Sequence, residues 1–305
     1  MQLVMRCDDF GYTNVFNMGL KKVLEEGIVS HVELMPDTPG AIDAMETMRR
    51  YPWVSVGWHK HFRGKPVLPP EQVPTLVDGQ GRFRFREVWS PDMGNPTVFE
   101  GVDERELTAE LTAEVDLFLR HMGRVPDCSG TGRPGTVMEA ASRTVCERFG
   151  IPYDCSGRIG PDGTLHGPSE KWKLVKLVMV NQPSHPVYLC RTAEDSTIRN
   201  CTYDPLGYML RDEQHILDLE CGMMAWHPGY LDDYMYEDAT YFYEGNRRFF
   251  EGSMLRDVTA LCSPELRRWI RENRVELISV RDALYGTHEY QNHLRAIGSD
   301  LYMDG

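Results

Sequence analysis

Short apolar runs alternate along this chain with segments whose apolar residues recur at helical spacing. That alternation is the strongest constraint on what it can fold into. "LVMRC" (3–7) reads as a strand ending at an acid pair, Asp8 and Asp9. Residues 14–26 read as a helix stopped by Gly27, "VELM" (32–35) as a second strand, and 41–51 as a second helix closed by Pro52. "VSVGWH" (54–59) is a third strand, and a Pro- and Gly-rich excursion follows at 60–102. The clearest helix is 103–123, with acids in its first turn. Weaker strand signals lie near 125–129 and 151–155, around a helix at 136–149, and 157–215 is irregular. "LDLECGMMAW" (217–226) reads as a buried strand, 263–273 as a helix with a serine cap, and "VELISV" (275–280) as a last strand. Repeated strand–helix units predict a parallel sheet, closed or open, with functional residues just after the strands.

Length and composition narrow the class. The 305 residues suit one large α/β domain or two small ones. A formal net charge of −13 argues against a nucleic-acid partner. No apolar run reaches membrane-span length, and "MQLVM" runs straight into Asp8 as a strand does, without the pattern of an export signal. Cys7, Cys128, Cys146, Cys155, Cys190, Cys201, Cys221 and Cys262 form no Cys-x-x-Cys pair. They are expected to be reduced and mostly buried, in a cytoplasmic protein.

Three strand ends carry candidate chemistry. Asp8 and Asp9 place two like charges side by side, which is unfavourable unless a metal ion or a shared proton sits there. The alternative is a helix N-cap with a solvated neighbour. His59 and His61 are two apart, so they share a face while the chain stays extended, and two imidazoles beside carboxylates suit a borderline divalent metal. They also read as partly exposed loop histidines. His227 follows an apolar strand, with Pro228 and Gly229 forcing a turn, and reads as a presented imidazole or a core histidine. Asp232 and Asp233 read as a solvated turn. On a parallel sheet these strand ends converge.

The ordered set "CDDFGYTNVFNMGL", "GIVSHVELMPDTPGA", "VSVGWHKHFRGKPV", "HPGYLDDY" and "LCSPELRRWIRENRVELISVRDAL" resembles the YdjC-like carbohydrate deacetylases, the ChbG/HpnK family. The resemblance implies one TIM-like β/α barrel of seven parallel strands over 1–305, with insertions near 60–102 and 157–215. It implies removal of an N-acetyl group from an amino sugar or short oligosaccharide with a divalent metal, Mg2+ or Zn2+. Residue by residue, it places the catalytic base on Asp8, metal ligands on Asp9 and His59, and an active-site histidine on His227. The family's further ligand histidine after the fourth strand has no counterpart in "PDCSGTGRPGT" (126–136). His61 is the nearest spare imidazole and is expected to complete the ligand set; Asp127, Cys128 and Thr131 are the donors in the altered stretch.

On this reading a metal polarises the acetyl carbonyl and the attacking water, Asp8 takes the water proton, and His227 protonates the leaving amine. The partner is a small carbohydrate, with no nucleic acid or membrane, and pairing with a second copy is left open. Two rivals stand beside it. One is a non-catalytic sugar-binding or regulatory protein that has lost a ligand. The other is a glycoside hydrolase using paired carboxylates.

Overall fold

The computed structural model describes residues 1–85, 99–132, 134–159, 165–166, 172, 176–184, 193–235 and 253–303. The long first strand, β1 (Gln2–Phe10), organises the sheet. It lies between β2 (His31–Leu34) and β8 (Cys221–Trp226), and β9 (Glu276–Leu277) pairs with its first residues. The order continues on one side through β3 (Ser55–Trp58) to β4 (Cys128–Ser129). On the other it runs through β7 (Leu177–Met179) and β5 (Gly157–Ile159) to β6 (Leu165–His166). Among the described strands of this sheet, β5 and β6 pair antiparallel and the others parallel.

The seven strands from β4 to β5 form a curled parallel sheet, a half-barrel consistent with a TIM-like barrel but not fully closed. The expected closed barrel is corrected to that extent, and the cause lies at the seam. β4 has 2 residues and β5 has 3, and no ladder joins the two among the described residues. Among the described residues the two sides meet only around the Ser129–Tyr153 bridge. There Ser129 N donates to the Pro152 carbonyl at 2.9 Å and Asp154 N to the Ser129 carbonyl at 3.0 Å.

Helices α1 (Asn14–Glu26), α3 (Glu104–His121) and α4 (Val137–Phe149) start where the capping chemistry places them, whereas α2 (Ala41–Met48) follows Gly40 without a side-chain cap. Thr13, Asp103 and Thr136 accept from backbone N–H groups in the first turns of α1, α3 and α4, and Gly150 closes α4 at φ 69°. Three strand expectations shift for local reasons. The strand signal at 151–155 reduces to the Tyr153 bridge, because Asp154 takes φ 49° and bonds back to Thr131. The run at 217–226 becomes a strand only from Cys221, because the Asp212 carboxylate caps the N–H groups of Ile216 and Leu217 and holds a turn there. The run at 275–280 stops at Leu277, because Ser279 and Asp282 form a capping box that starts the helix Val280–Tyr285.

Side chains alternate across the sheet and sort by height. Leu3, Met5, Cys7, Val32, Leu34, Val56, Trp58, Met224 and Trp226 belong to the main core against the helices. The opposite face begins with an apolar plug of Val4, Leu177, Cys221, Met223, Ile278 and Val280. Above it come Arg6, His31, Glu33, Ser55 and Cys128, and then the strand ends. A polar layer so deep is tolerated because its members satisfy one another. Of the expected excursions, 86–98 and parts of 157–215 lie outside the described residues, as does Cys190; of the other cysteines, Cys7, Cys146, Cys155 and Cys221 are buried.

Candidate active site

The acid pair is presented by a distortion of β1. The β1–β2 register shifts between Cys7 and Phe10, and Asp9 takes φ 64°, a conformation Asp tolerates better than most residues. The bulge breaks the strict alternation, so adjacent carboxylates reach one site. Gly11 follows at φ 100°, and a Cβ there would lie 2.7 Å from the Met35 carbonyl oxygen, so the turn needs glycine. Asn17 secures it, accepting from Gly11 N at 2.8 Å and donating to the Gly40 carbonyl at 2.9 Å.

His59 and His61 arrive from the end of β3. His59 N still donates to the Leu34 carbonyl at 2.9 Å, so the chain remains extended past Trp58. Lys60 points the other way, bonding to the Ser129 hydroxyl with its ammonium 4.0 Å from the Trp58 ring centroid. The chain turns only after His61, at Phe62 with φ 54°. The two imidazoles therefore share a face, with ring centroids 3.9 Å apart. His59 Nε2 lies 3.2 Å from Asp9 Oδ1. Ligand atoms of Asp9, His59 and His61 all fall within 4.8 Å of one another, and all three residues are buried.

His227 enters from β8. Its turn packs on α1, where Gly19 and Gly229 allow backbone contact: a Cβ on Gly19 would lie 2.7 Å from the Gly229 Cα. His227 N donates to Asp257 Oδ2 at 2.8 Å, and Tyr203 OH donates to Asp257 Oδ1 at 2.6 Å. The His227 Nε2 then sits 3.9 Å from Asp8 Oδ2. Asp8 is gripped from below: Arg6 Nε donates to Oδ1 at 2.5 Å and Nη2 to Oδ2 at 2.8 Å. Asp8, Asp9, His59, His61 and His227 thus meet in one cluster.

Electrostatics prepare the cluster for a cation. Burial alone would raise the Asp9 pKa, but the hydrogen bond from His59 and the charge of Arg63 hold it well below the usual carboxylate range. Burial would lower His59, yet its contacts with Asp9 and Glu33 push it up to about 10. His61 is held well below its ordinary value by burial and by the positive charges of His59 and Arg63. Burial also lowers His227. Metal ligands must be ionised carboxylates or neutral imidazoles. Asp9 and His61 already meet that demand, and at His59 a cation would take the place of a proton. The nitrogen/oxygen donor set fits a divalent metal.

The donors of the altered stretch around β4 are engaged elsewhere. Asp127 Oδ2 accepts from Val56 N at 2.7 Å, Arg124 at 2.5 Å and Arg281 at 2.9 Å. Thr131 bonds to Asp154, and Cys128 Sγ lies 3.9 Å from His31 Nε2, deeper in the sheet. His31, Glu33 and Cys128 also lie within 4.8 Å of one another. There, however, Arg6 Nη1 stands 3.5 Å from Glu33 Oε1 and supplies positive charge already. Arg6, Glu33 and Asp257 are the site's neighbours that sequence reasoning missed. The first two carry a signal, since each is a charge inside an apolar strand.

Asp257 gives a pH prediction. Burial pushes its carboxyl up to about 7, despite the hydrogen bonds from Tyr203 and His227. Its folded pKa lies above its unfolded value, so the stability it contributes is full below about pH 4 and is lost as pH rises through about 7. Asp257→Asn should therefore flatten the fall in melting temperature between pH 5 and 8 relative to wild type, measured by calorimetry.

The chain is similar to known proteins over most of its length. The family model described as YdjC-like protein matches residues 2–272. A protein of Listeria innocua serovar 6a named carbohydrate deacetylase 2 is 25% identical over 290 residues, covering 92% of this chain and 98% of its own. A carbohydrate deacetylase of Brevibacillus brevis is 23% identical over 283 residues, with 92% and 98% covered. A crystal structure from Enterococcus faecalis V583, described as a cellobiose-phosphate cleavage protein, superposes with a TM-score of 0.63 at 20% identity, covering 93% of this chain and 98% of its own. That likeness establishes the shared fold.

Proposed function

The chain belongs to the YdjC-like family, and on that premise we propose that it is a metal-dependent carbohydrate deacetylase. In this reading it hydrolyses the N-acetyl amide of an amino sugar or short oligosaccharide. The observation that carries the reading is the buried Asp9–His59–His61 cluster beside Asp8 and His227. Asp9, His59 and His61 would hold a divalent cation, Mg2+ or Zn2+. When bound, it supplies Lewis-acid polarisation of the acetyl carbonyl.

The chain's own groups carry the protons. Arg6 occupies one lone pair on each Asp8 oxygen and holds the carboxylate in place. The remaining lone pair of Oδ2, on the side of His227, accepts a proton from the attacking water. As the C–N bond breaks, His227 Nε2 delivers a proton to the departing nitrogen, so acetate and a free amine leave. Burial favours the neutral imidazole at rest, so the proton His227 delivers is the one Asp8 takes from the water, passed from Oδ2 to Nε2 across their 3.9 Å separation.

A second reading, a sugar-binding protein without turnover, is favoured by one observation: both Asp8 oxygens are held by Arg6. One assay separates the readings. Purified protein with N-acetylated chito-oligosaccharides and zinc or magnesium should release acetate, and a chelator should stop it. Binding without acetate would support the second reading, and new reducing ends in place of acetate would indicate a glycoside hydrolase. No helix among the described residues is long and apolar enough to cross a membrane.

A further inference from the structure

We propose that Glu33 is the positioning residue of this site, fixing which nitrogen of His59 faces the cation. The inference rests on the metal reading above. An imidazole has two nitrogens, and the partner of one decides the role of the other. His59 Nε2 faces Asp9 Oδ1 at 3.2 Å, while its Nδ1 lies 3.5 Å from Glu33 Oε2. A carboxylate at Nδ1 keeps the proton there and leaves the Nε2 lone pair for a metal.

The fold commits several residues to placing that carboxylate. Glu33 pairs with Gly57 across the β2–β3 ladder, and His59 lies two residues beyond Gly57 on the same face. A Cβ at residue 57 would lie 2.3–2.6 Å from the Glu33 carboxyl atoms. Glycine at 57 is therefore what lets the Glu33 side chain cross β3 and reach His59. The other oxygen, Oε1, is held by His31 Nε2 at 3.1 Å and faces Arg6 Nη1 at 3.5 Å. His31 is braced in turn by Ser55 at 2.8 Å. Glu33 is buried, so its charge persists only because these partners surround it. Arg6 also grips Asp8, so one guanidinium ties the group that orients the ligand histidine to the proposed base.

The test is zinc binding by calorimetry on wild type, Glu33→Gln and His31→Gln, with nitrogen NMR of the His59 ring in zinc-loaded wild type. Glu33→Gln should bind zinc about 10–100-fold more weakly. His31→Gln, which loosens one oxygen of Glu33 but leaves the carboxylate beside His59, should weaken binding by less than Glu33→Gln does. The wild-type ring should show coordination through Nε2 with the proton on Nδ1. Coordination through Nδ1, unchanged affinity in Glu33→Gln, or an equal loss in His31→Gln would overturn the role of Glu33 and leave the metal reading standing. A wild type that binds no zinc would overturn both. If Glu33→Gln does not fold, the wild-type ring spectrum still decides.

Discussion

Asp8→Asn is expected to lower deacetylation by about 10²–10⁴-fold, the range lost when a positioned general base is removed. Zinc affinity should stay near wild type, because the ligand cluster is Asp9, His59 and His61. The amide keeps the shape of the carboxylate but cannot take a proton. It also meets Arg6 badly, since its NH2 must face guanidinium N–H groups now held at 2.5 and 2.8 Å. Some stability should therefore be lost along with the rate, and circular dichroism and a melting curve separate the two effects. A rate equal to wild type in the folded variant would remove Asp8 from the mechanism.

His59→Ala should do more, because it strikes both the metal site and the charge balance of the interior. Asp9 and Glu33 are 2% and 6% exposed, and His59 touches both. Removing the imidazole takes a cationic partner from two buried carboxylates. Breaking one side of a buried ion pair costs about 3–5 kcal/mol. Zinc binding should fall below detection, turnover should vanish, and the metal-free protein should melt well below wild type. Calorimetric titration and thermal unfolding check the two halves independently. Retained zinc binding in a folded His59→Ala protein would remove His59 from the ligand set.

The parts of this site legible in the sequence are those that depend on chain-local geometry. The run "LVMRC" ahead of Asp8 and Asp9 identifies a strand end, and the spacing of His59 and His61 predicts a shared face as long as the chain stays extended. The bond from His59 N to the Leu34 carbonyl shows that it does. What was not legible depends on partners distant in sequence. Arg6 and Glu33 stand out as charges in apolar strands, but nothing local says that one grips Asp8 or that the other reaches His59 across Gly57. Asp127 reads as a spare donor until Arg124, Arg281 and Val56 N are seen to occupy it. β7 escaped notice for a related reason. It has 3 residues, too few to show a period, and exists because β8 offers it a ladder. The unclosed seam has the same origin, since strands as short as β4 and β5 leave no sequence pattern from which closure could be judged.

Asp9, His59 and His61 together are expected to hold a divalent cation, and anomalous diffraction from crystals soaked in zinc or manganese checks this directly. One peak should stand in contact with the Asp9 carboxylate, His59 Nε2 and a ring nitrogen of His61, since their ligand atoms already lie within 4.8 Å of one another. A peak touching Asp9 and His59 but not His61, or no peak at millimolar metal, would contradict it.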